Sequence, residues 1–213
     1  MHVNLELLLA TGAIPGAEGD LGPRLDTIRR VAQLFAEFPP TTMVETGCQS
    51  SLLLSAHGMS TSIWGAFARR YGAVLHSIDA DREKIRQCRE LTREYAGSIW
   101  YIVGDSVDVL SSFGEPIDFL YLDSSDFLYN CKEESRLHQL GEARAAWPRL
   151  HPGSVVLLDD ANVQRWFGTR LNDLDVQGKT AYAHRFLVEQ GACCLADFPS
   201  YQRLYVIGRE TRV

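Results

Sequence analysis

The sequence predicts an α/β domain built on a parallel sheet. Two observations point there. Short apolar runs alternate with amphipathic stretches along the 213 residues, as buried strands alternate with crossover helices. Four of the runs end at Gly47, Asp79, Asp123 and Asp159, and open parallel sheets bind ligands outside the carboxyl ends of their strands.

A first helix is expected over Leu25–Phe38. There Leu25, Ile28, Val31, Ala32 and Phe35 recur at helical spacing, and Pro39-Pro40 stops the run. Strands are expected at Thr42–Thr46, Val74–Ile78, Trp100–Val103, Ile117–Leu122 and Ser154–Leu158. The helices between them are Thr61–Tyr71, with Ser60 or Thr61 as N-cap, then Asp81–Tyr95, Val107–Phe113, capped by Asp105 or Ser106, and Glu133–Leu150. His151-Pro152-Gly153 reads as a turn. A helix near Thr180–Gln190, a strand near Ala192–Asp197 and a last strand at Gln202–Ile207 complete the chain.

Bulk properties narrow the function classes. With 46% hydrophobic and 23% charged residues the chain can bury one sizeable core. A formal charge of −6 weighs against nucleic acid or an anionic membrane as partner. No apolar run approaches the ~20 residues that span a bilayer. The opening MHVNLELLLATGAIPG lacks the basic start of a secretory signal. The cysteines Cys48, Cys88, Cys131, Cys193 and Cys194 are odd in number and form no C-x-x-C pair. They are read as reduced thiols in a cytoplasmic protein. Cys48 is read as a small apolar filler, because no histidine pairs with it.

Chemistry is expected at the strand ends. Val44-Glu45-Thr46-Gly47 finishes a strand in glycine, which lets the backbone approach a ligand. Gly58-Met59-Ser60-Thr61-Ser62 then opens a helix whose N–H groups suit an anion or carboxylate. The eleven-residue separation of Gly47 from Gly58 is no G-x-G-x-x-G, and a surface loop is the alternative. Asp79, 32 residues after Gly47, suits two ribose hydroxyls, with Asp81 as competitor and a helix cap as alternative. Asp105 suits an exocyclic amine, with Ser106 beside it; it too reads alternatively as a cap. Asp123, Asp159 and Asp160 would repel one another unless neutralised. Mg²⁺ is one answer, with Asn162 as a neutral ligand. Caps and ion pairs, with Lys179 or Arg165 as counterion, are the other.

In order, VETG, LHSIDAD, VGDS, FLYLDSSD and LHPGSVVLLDDAN resemble a class I S-adenosylmethionine-dependent methyltransferase over about residues 40–160. The aspartate after the fourth strand and the Asp-Asp after the fifth resemble the metal-dependent O-methyltransferases, catechol-type and macrocin-type. The resemblance implies a Rossmann-like methyltransferase fold, with a mostly parallel seven-stranded sheet and helices on both faces. It implies donor contacts at Glu45, Gly47, Asp79, Asp105 and Ser106, and Gly58, Ser60 and Asp123 join them as candidates. It implies metal ligands at Asp123, Asp159 and Asp160. Two departures stand out: a longer first glycine loop, and Asp123-Ser124-Ser125-Asp126 where the family often has Asp-Gly-Asp or Asp-x-x-Lys. Asp126 is then the nearest candidate proton acceptor, alongside Asp123, with His57 more distant.

The expected reaction is an SN2 methyl transfer from S-adenosylmethionine to a small-molecule acceptor, at a hydroxyl oxygen, assisted by Mg²⁺. A nicotinamide-dependent oxidoreductase is one alternative, though the glycine spacing differs and no Tyr-x-x-x-Lys stands out. A non-catalytic nucleoside-binding protein is the other. The methyltransferase domain is expected over residues 25–213. Residues 1–24, whose Leu5, Leu7, Leu8 and Leu9 need burial, are expected to cover the acceptor pocket or to pair two subunits in a homodimer.

Overall fold

The protein is described by a computed structural model covering residues 2–17, 19–51, 59–126, 131–162, 177–197 and 200–208. Gly58, His57 and Arg165 lie outside the described residues. By backbone contacts the chain divides into two units, Met1–Asp105 and Ser106–Val213.

The first unit opens with helix α1, Leu5–Thr11. Asn4 caps it by accepting from the Leu7 N–H, and Gly12, at φ 77°, ends it. Sequence periodicity does not reveal this helix, because seven residues give barely two turns. Leu5 and Leu8 are buried, while Leu7 stays 39% exposed. Helix α2, Leu25–Glu37, buries Ile28, Val31 and Phe35 at the expected spacing. Strand β1, Thr42–Thr46, is buried throughout. Helix α3 is Ser60–Tyr71, strand β2 Val74–Asp79, helix α4 Arg82–Leu91 and strand β3 Ile99–Val103. Helix α4 stops before Tyr95 because the Thr92 hydroxyl donates back to the Cys88 carbonyl and a 3₁₀ turn follows. Strands β1 and β2, and β2 and β3, pair in parallel.

The second unit holds helix α5, Ser106–Ser112, strand β4, Ile117–Leu122, helix α6, Lys132–Ala146, and strand β5, Leu150–Leu158. Pro148 turns the end of α6 into a 3₁₀ turn, Trp147–Arg149. The expected turn at His151-Pro152-Gly153 is instead part of β5. An irregularity in the β4–β5 register, between Ile117 and Phe119, takes up the proline and the glycine at φ 103°. Helix α7, Ala181–Glu189, and strands β6, Cys193–Ala196, and β7, Arg203–Val206, follow. Over the whole chain the strand order is β3-β2-β1-β4-β5-β7-β6. Strand β7 runs antiparallel to β5 and β6. This is the mostly parallel, seven-stranded Rossmann-like arrangement that the family resemblance implies.

Candidate functional site

In the first unit the candidate residues gather at the carboxyl ends of β1 and β2. Gly47 takes φ 80°, a left-handed conformation that costs glycine little, and its N–H donates to the Ile78 carbonyl at 2.8 Å. The chain is thereby turned so that Cys48 meets Asp79. The Asp79 Oδ2 accepts from the Cys48 N–H at 3.2 Å and faces the thiol at 3.6 Å. Its Oδ1 accepts from the Asp81 N–H at 2.8 Å. Asp81 is the N-cap of α4, accepting from Glu83 and Lys84, so the cap role goes to Asp81 and leaves Asp79 facing the β1 loop. Asp105, after β3, is exposed.

Glu45 is fully buried. Its Oε2 accepts from the Thr61 hydroxyl at 2.7 Å and the Ser77 hydroxyl at 2.9 Å. Its Oε1 is buried with no hydrogen-bond partner among the described residues. Burial pushes its pKa up to about 7, against the lowering effect of hydrogen bonds from Ser60, Thr61 and Ser77. Ser60 thus touches Glu45 from the first position of α3. Gln49, which sequence reasoning missed, ties the loop to this helix. Its Oε1 accepts from the Ser62 N–H at 2.6 Å, and its own N–H donates to Thr61 Oγ1 at 3.0 Å. One helix N-terminal amide expected for a ligand is therefore held by a glutamine.

In the second unit the three aspartates surround a lysine. Lys179 Nζ lies 2.6 Å from Asp123 Oδ1 and 3.2 Å from Asp160 Oδ2, with its side chain 2% exposed. The Asp123 and Asp160 side chains remain 24% and 20% exposed, so each keeps an edge toward solvent. Asp159 is buried and accepts from the Tyr121 hydroxyl at 3.0 Å, and that hydroxyl lies equally close to Asp123 Oδ2. Asp160 stands at φ 56°, rare for a non-glycine residue, and bonds the Tyr201 hydroxyl. Burial lowers the Lys179 pKa, but the charges of Asp123, Asp160 and Asp159 outweigh it and the net shift is upward.

The loop after β4 is fastened by one face of α6. Ser135 donates to the Asp126 carbonyl at 2.6 Å, Gln139 to the Leu122 carbonyl at 3.2 Å, and Glu142 Oε1 accepts from Ser124 at 2.6 Å. Glu142 also accepts from Ser106 at 2.5 Å, and Ser106 meets His138 Nε2 at 3.0 Å. The Asp126 side chain is exposed. Residues 135, 139 and 142, which sequence reasoning did not single out, are all buried. Their three- and four-residue spacing is the signal that could have found them.

A divalent ion such as Mg²⁺ needs carboxylate oxygens converging at about 2.0–2.1 Å from one point. Between Asp123 and Asp160 that place is held by the Lys179 ammonium. Among the described residues, three ligand atoms from His, Cys, Asp or Glu side chains gather within 4.8 Å of one another only at His184, Cys194 and Asp197, which offer a single carboxylate. There Asp197 pairs with Arg203 at 2.6 Å and His184 bonds the Tyr205 hydroxyl at 2.7 Å. As arranged, Asp123, Asp159 and Asp160 do not fit a divalent ion.

Residues 55–161 match a family described as a methyltransferase domain. No curated protein matches the chain. Among solved structures, the S-adenosylhomocysteine-bound methyltransferase PaMTH1 of Podospora anserina aligns with TM-score 0.62 and 14% identity, over 84% of this chain and 77% of that one. The O-methyltransferase TomG of Streptomyces achromogenes, in complex with S-adenosylmethionine, aligns with TM-score 0.56 and 18% identity, over 88% and 82%. MycE, a methyltransferase of mycinamycin biosynthesis in complex with Mg and S-adenosylhomocysteine, aligns with TM-score 0.59 and 16% identity, over 86% of this chain and 50% of its own. At these identities the likeness is one of fold.

Proposed function

Because the chain belongs to the methyltransferase-domain family, as an S-adenosylmethionine-dependent methyltransferase of class I, we propose that it methylates a hydroxyl oxygen of a small-molecule acceptor. The observation that carries the donor half is the left-handed turn at Gly47, which brings the Cys48 N–H onto the Asp79 carboxylate at the ends of β1 and β2. Asp79 is the carboxylate for the two ribose hydroxyls. Glu45, with its unpartnered buried oxygen, together with Ser60, orders the backbone that faces the donor. Asp105 takes the exocyclic amine, and Ser106 stands next to it. Gly58 belongs to the same proposal, although it lies outside the described residues.

The acceptor half rests on Asp123 and Asp160. Their solvent-facing edges suit a hydroxyl, which donates a hydrogen bond to a carboxylate and gains nucleophilicity by it. O-methylation is also the activity named for TomG, and MycE has been captured with mycinamycin VI, a small molecule. Asp123 is favoured over Asp126 as the group that takes the hydroxyl proton, because Asp123 is held by Lys179 and Tyr121. Assistance by Mg²⁺ would require Lys179 to leave its place. A homodimer, with residues 1–24 at its contact or over the acceptor, belongs to the same proposal. The net charge of −6 favours a small-molecule partner over nucleic acid or membrane. No helix of the described residues is long and apolar enough to cross a membrane.

Calorimetry with S-adenosylhomocysteine tests the donor half. Micromolar binding is expected, and Asp79→Ala should weaken it roughly ten- to hundred-fold, the loss of one charge-assisted hydrogen bond pair. Unchanged affinity in Asp79→Ala combined with Asp105→Ala would overturn the assignment. Transfer of labelled methyl to an array of hydroxyl-, amine- and carbon-nucleophile acceptors tests the rest. Labelling confined to amines would reject the oxygen target.

A further inference from the structure

The carboxyl ends of β4 and β5 deliver three aspartates, and the sequence leaves open whether a metal or a basic side chain neutralises them. We infer that Lys179 is the resident cation of this cluster, taking the place of a divalent ion and holding Asp123 and Asp160 for the acceptor, so that methyl transfer by this protein needs no metal. The inference rests on the acceptor half of the proposed function and assigns Lys179 as a positioning residue.

Three features make the lysine a built part of the site. First, its ammonium bridges two carboxylates from different strand ends, at 2.6 and 3.2 Å. The shorter contact is a charge-assisted hydrogen bond and the longer an ion pair. Second, the 3₁₀ turn that carries it, Gly178–Thr180, is buried and clamped from two sides. Arg136 Nε donates to the Gly178 carbonyl at 3.2 Å. Arg203 reaches Thr180 Oγ1 at 2.9 Å and Gln177 Oε1 at 3.2 Å. Arg136 and Arg203 are themselves almost wholly buried. Third, the Asp160 backbone adopts φ 56°, which turns its carboxylate to Lys179 and to the Tyr201 hydroxyl. A strained backbone persists only where its surroundings over-determine it.

The consequence for a divalent ion is steric and electrostatic. An ion within coordination distance of Asp123 and Asp160 would fall on the lysine nitrogen, and the two positive charges would repel in a partly desolvated place. A lysine also brings a fixed valence. It offers three N–H donors and no exchangeable coordination position, so the acceptor hydroxyl meets the carboxylates instead of the cation. Lys179 therefore acts on the reaction through Asp123 and Asp160.

Mn²⁺ alone, followed by electron paramagnetic resonance in the full-length chelator-treated protein, tests this. Wild type should show no Mn²⁺ uptake that Asp160→Asn removes. Lys179→Ala opens the cluster and should bind Mn²⁺ at least about tenfold more tightly than wild type, as expected when a charge a few ångströms away is deleted. Adding Asp160→Asn to Lys179→Ala should abolish that gain. Wild-type uptake of one Mn²⁺ that Asp160→Asn removes would overturn the inference, as would a folded Lys179→Ala protein that gains no site. If Lys179→Ala fails to fold, the wild-type comparison with Asp160→Asn decides alone. S-adenosylhomocysteine affinity measured on the same samples keeps the two readings apart. Retained donor binding alongside wild-type Mn²⁺ uptake rejects only the lysine, and lost donor binding rejects the donor site.

Discussion

A carboxylate with 0% exposure and one unpartnered oxygen is costly, and Glu45 carries that cost at the end of β1. Its pKa rises from 4.5 to about 7, with burial as the dominant cause. The sign of the linkage follows. Between those values the folded state holds a proton that the unfolded state has released, so stability is full below about 4.5 and falls as pH rises through about 7. A shift of this size corresponds to about 3 kcal/mol. Glu45→Gln keeps the shape and cannot ionise. Urea unfolding at pH 5 and pH 8 should therefore show wild type losing about 2–3 kcal/mol relative to the glutamine variant across that range. Parallel pH dependence in the two proteins would show that Glu45 stays ionised throughout, its Oε1 met by water.

Helices and strands in this chain are set by packing more than by propensity, and Gly65 in α3 illustrates it. A Cβ there would stand 2.8 Å from Ile99 Cδ1 and 3.2 Å from the Tyr95 Cβ and Cγ. Helix propensity favours alanine over glycine by about 1 kcal/mol, while overpacking costs about 1–3 kcal/mol. The Ile99 methyl can swing aside. The Tyr95 side chain cannot, because its hydroxyl accepts from the Val3 N–H at 2.6 Å. Overpacking therefore wins, and chemical denaturation of Gly65→Ala should give a net loss of up to about 2 kcal/mol. A stabilised Gly65→Ala would mean that Tyr95 yields. The same weighing accounts for what was legible in the sequence. Strands β1, β4 and β5 announce themselves as apolar runs because most of their residues are buried, and β2 does so with half of its residues buried. Asp79 and Asp123 announce themselves because a carboxylate directly after such a run stands at the edge where a parallel sheet meets its ligands. The polar face of α6 does not, since Ser135, Gln139 and Glu142 look the same facing solvent as facing the loop they fasten. Lys179 and Arg165 are equally eligible as counterion in the sequence. Nothing in the spacing of Lys179, 19 residues past Asp160, fixes the choice, because the contact is made by folding the turn before α7 back onto the ends of β4 and β5.

For the molecule as a whole, residues 1–24 lie in the first unit, and α1 packs there against α2 and α3. The packing is specific. Val3, Leu5 and Leu8 are buried, the Val3 N–H meets Tyr95, and Arg29 closes the end of α1 by donating to the Leu9 carbonyl at 2.6 Å and the Ala10 carbonyl at 2.9 Å. Three buried apolar side chains contribute about 1.5–3 kcal/mol each before the cost of ordering the segment is subtracted. Deleting residues 2–11 would also leave the Tyr95 hydroxyl and the Arg29 guanidinium without these partners. The melting temperature of the truncated protein should fall by several degrees, at about 2–4 °C per kcal/mol for a chain of this size. Leu7, 39% exposed on α1, is what remains for a second copy to cover. Light scattering at micromolar concentration should accordingly find full-length protein as a dimer and the truncated protein as a monomer. The acceptor KM separates the two roles proposed for the segment. A dimer contact leaves the acceptor KM per chain unchanged after truncation, whereas a lid over the acceptor pocket raises it on truncation. A full-length protein that scatters only as monomer would reject the dimer, and an unchanged acceptor KM in the same truncation would then remove the lid as well, leaving α1 as a packing element of the first unit.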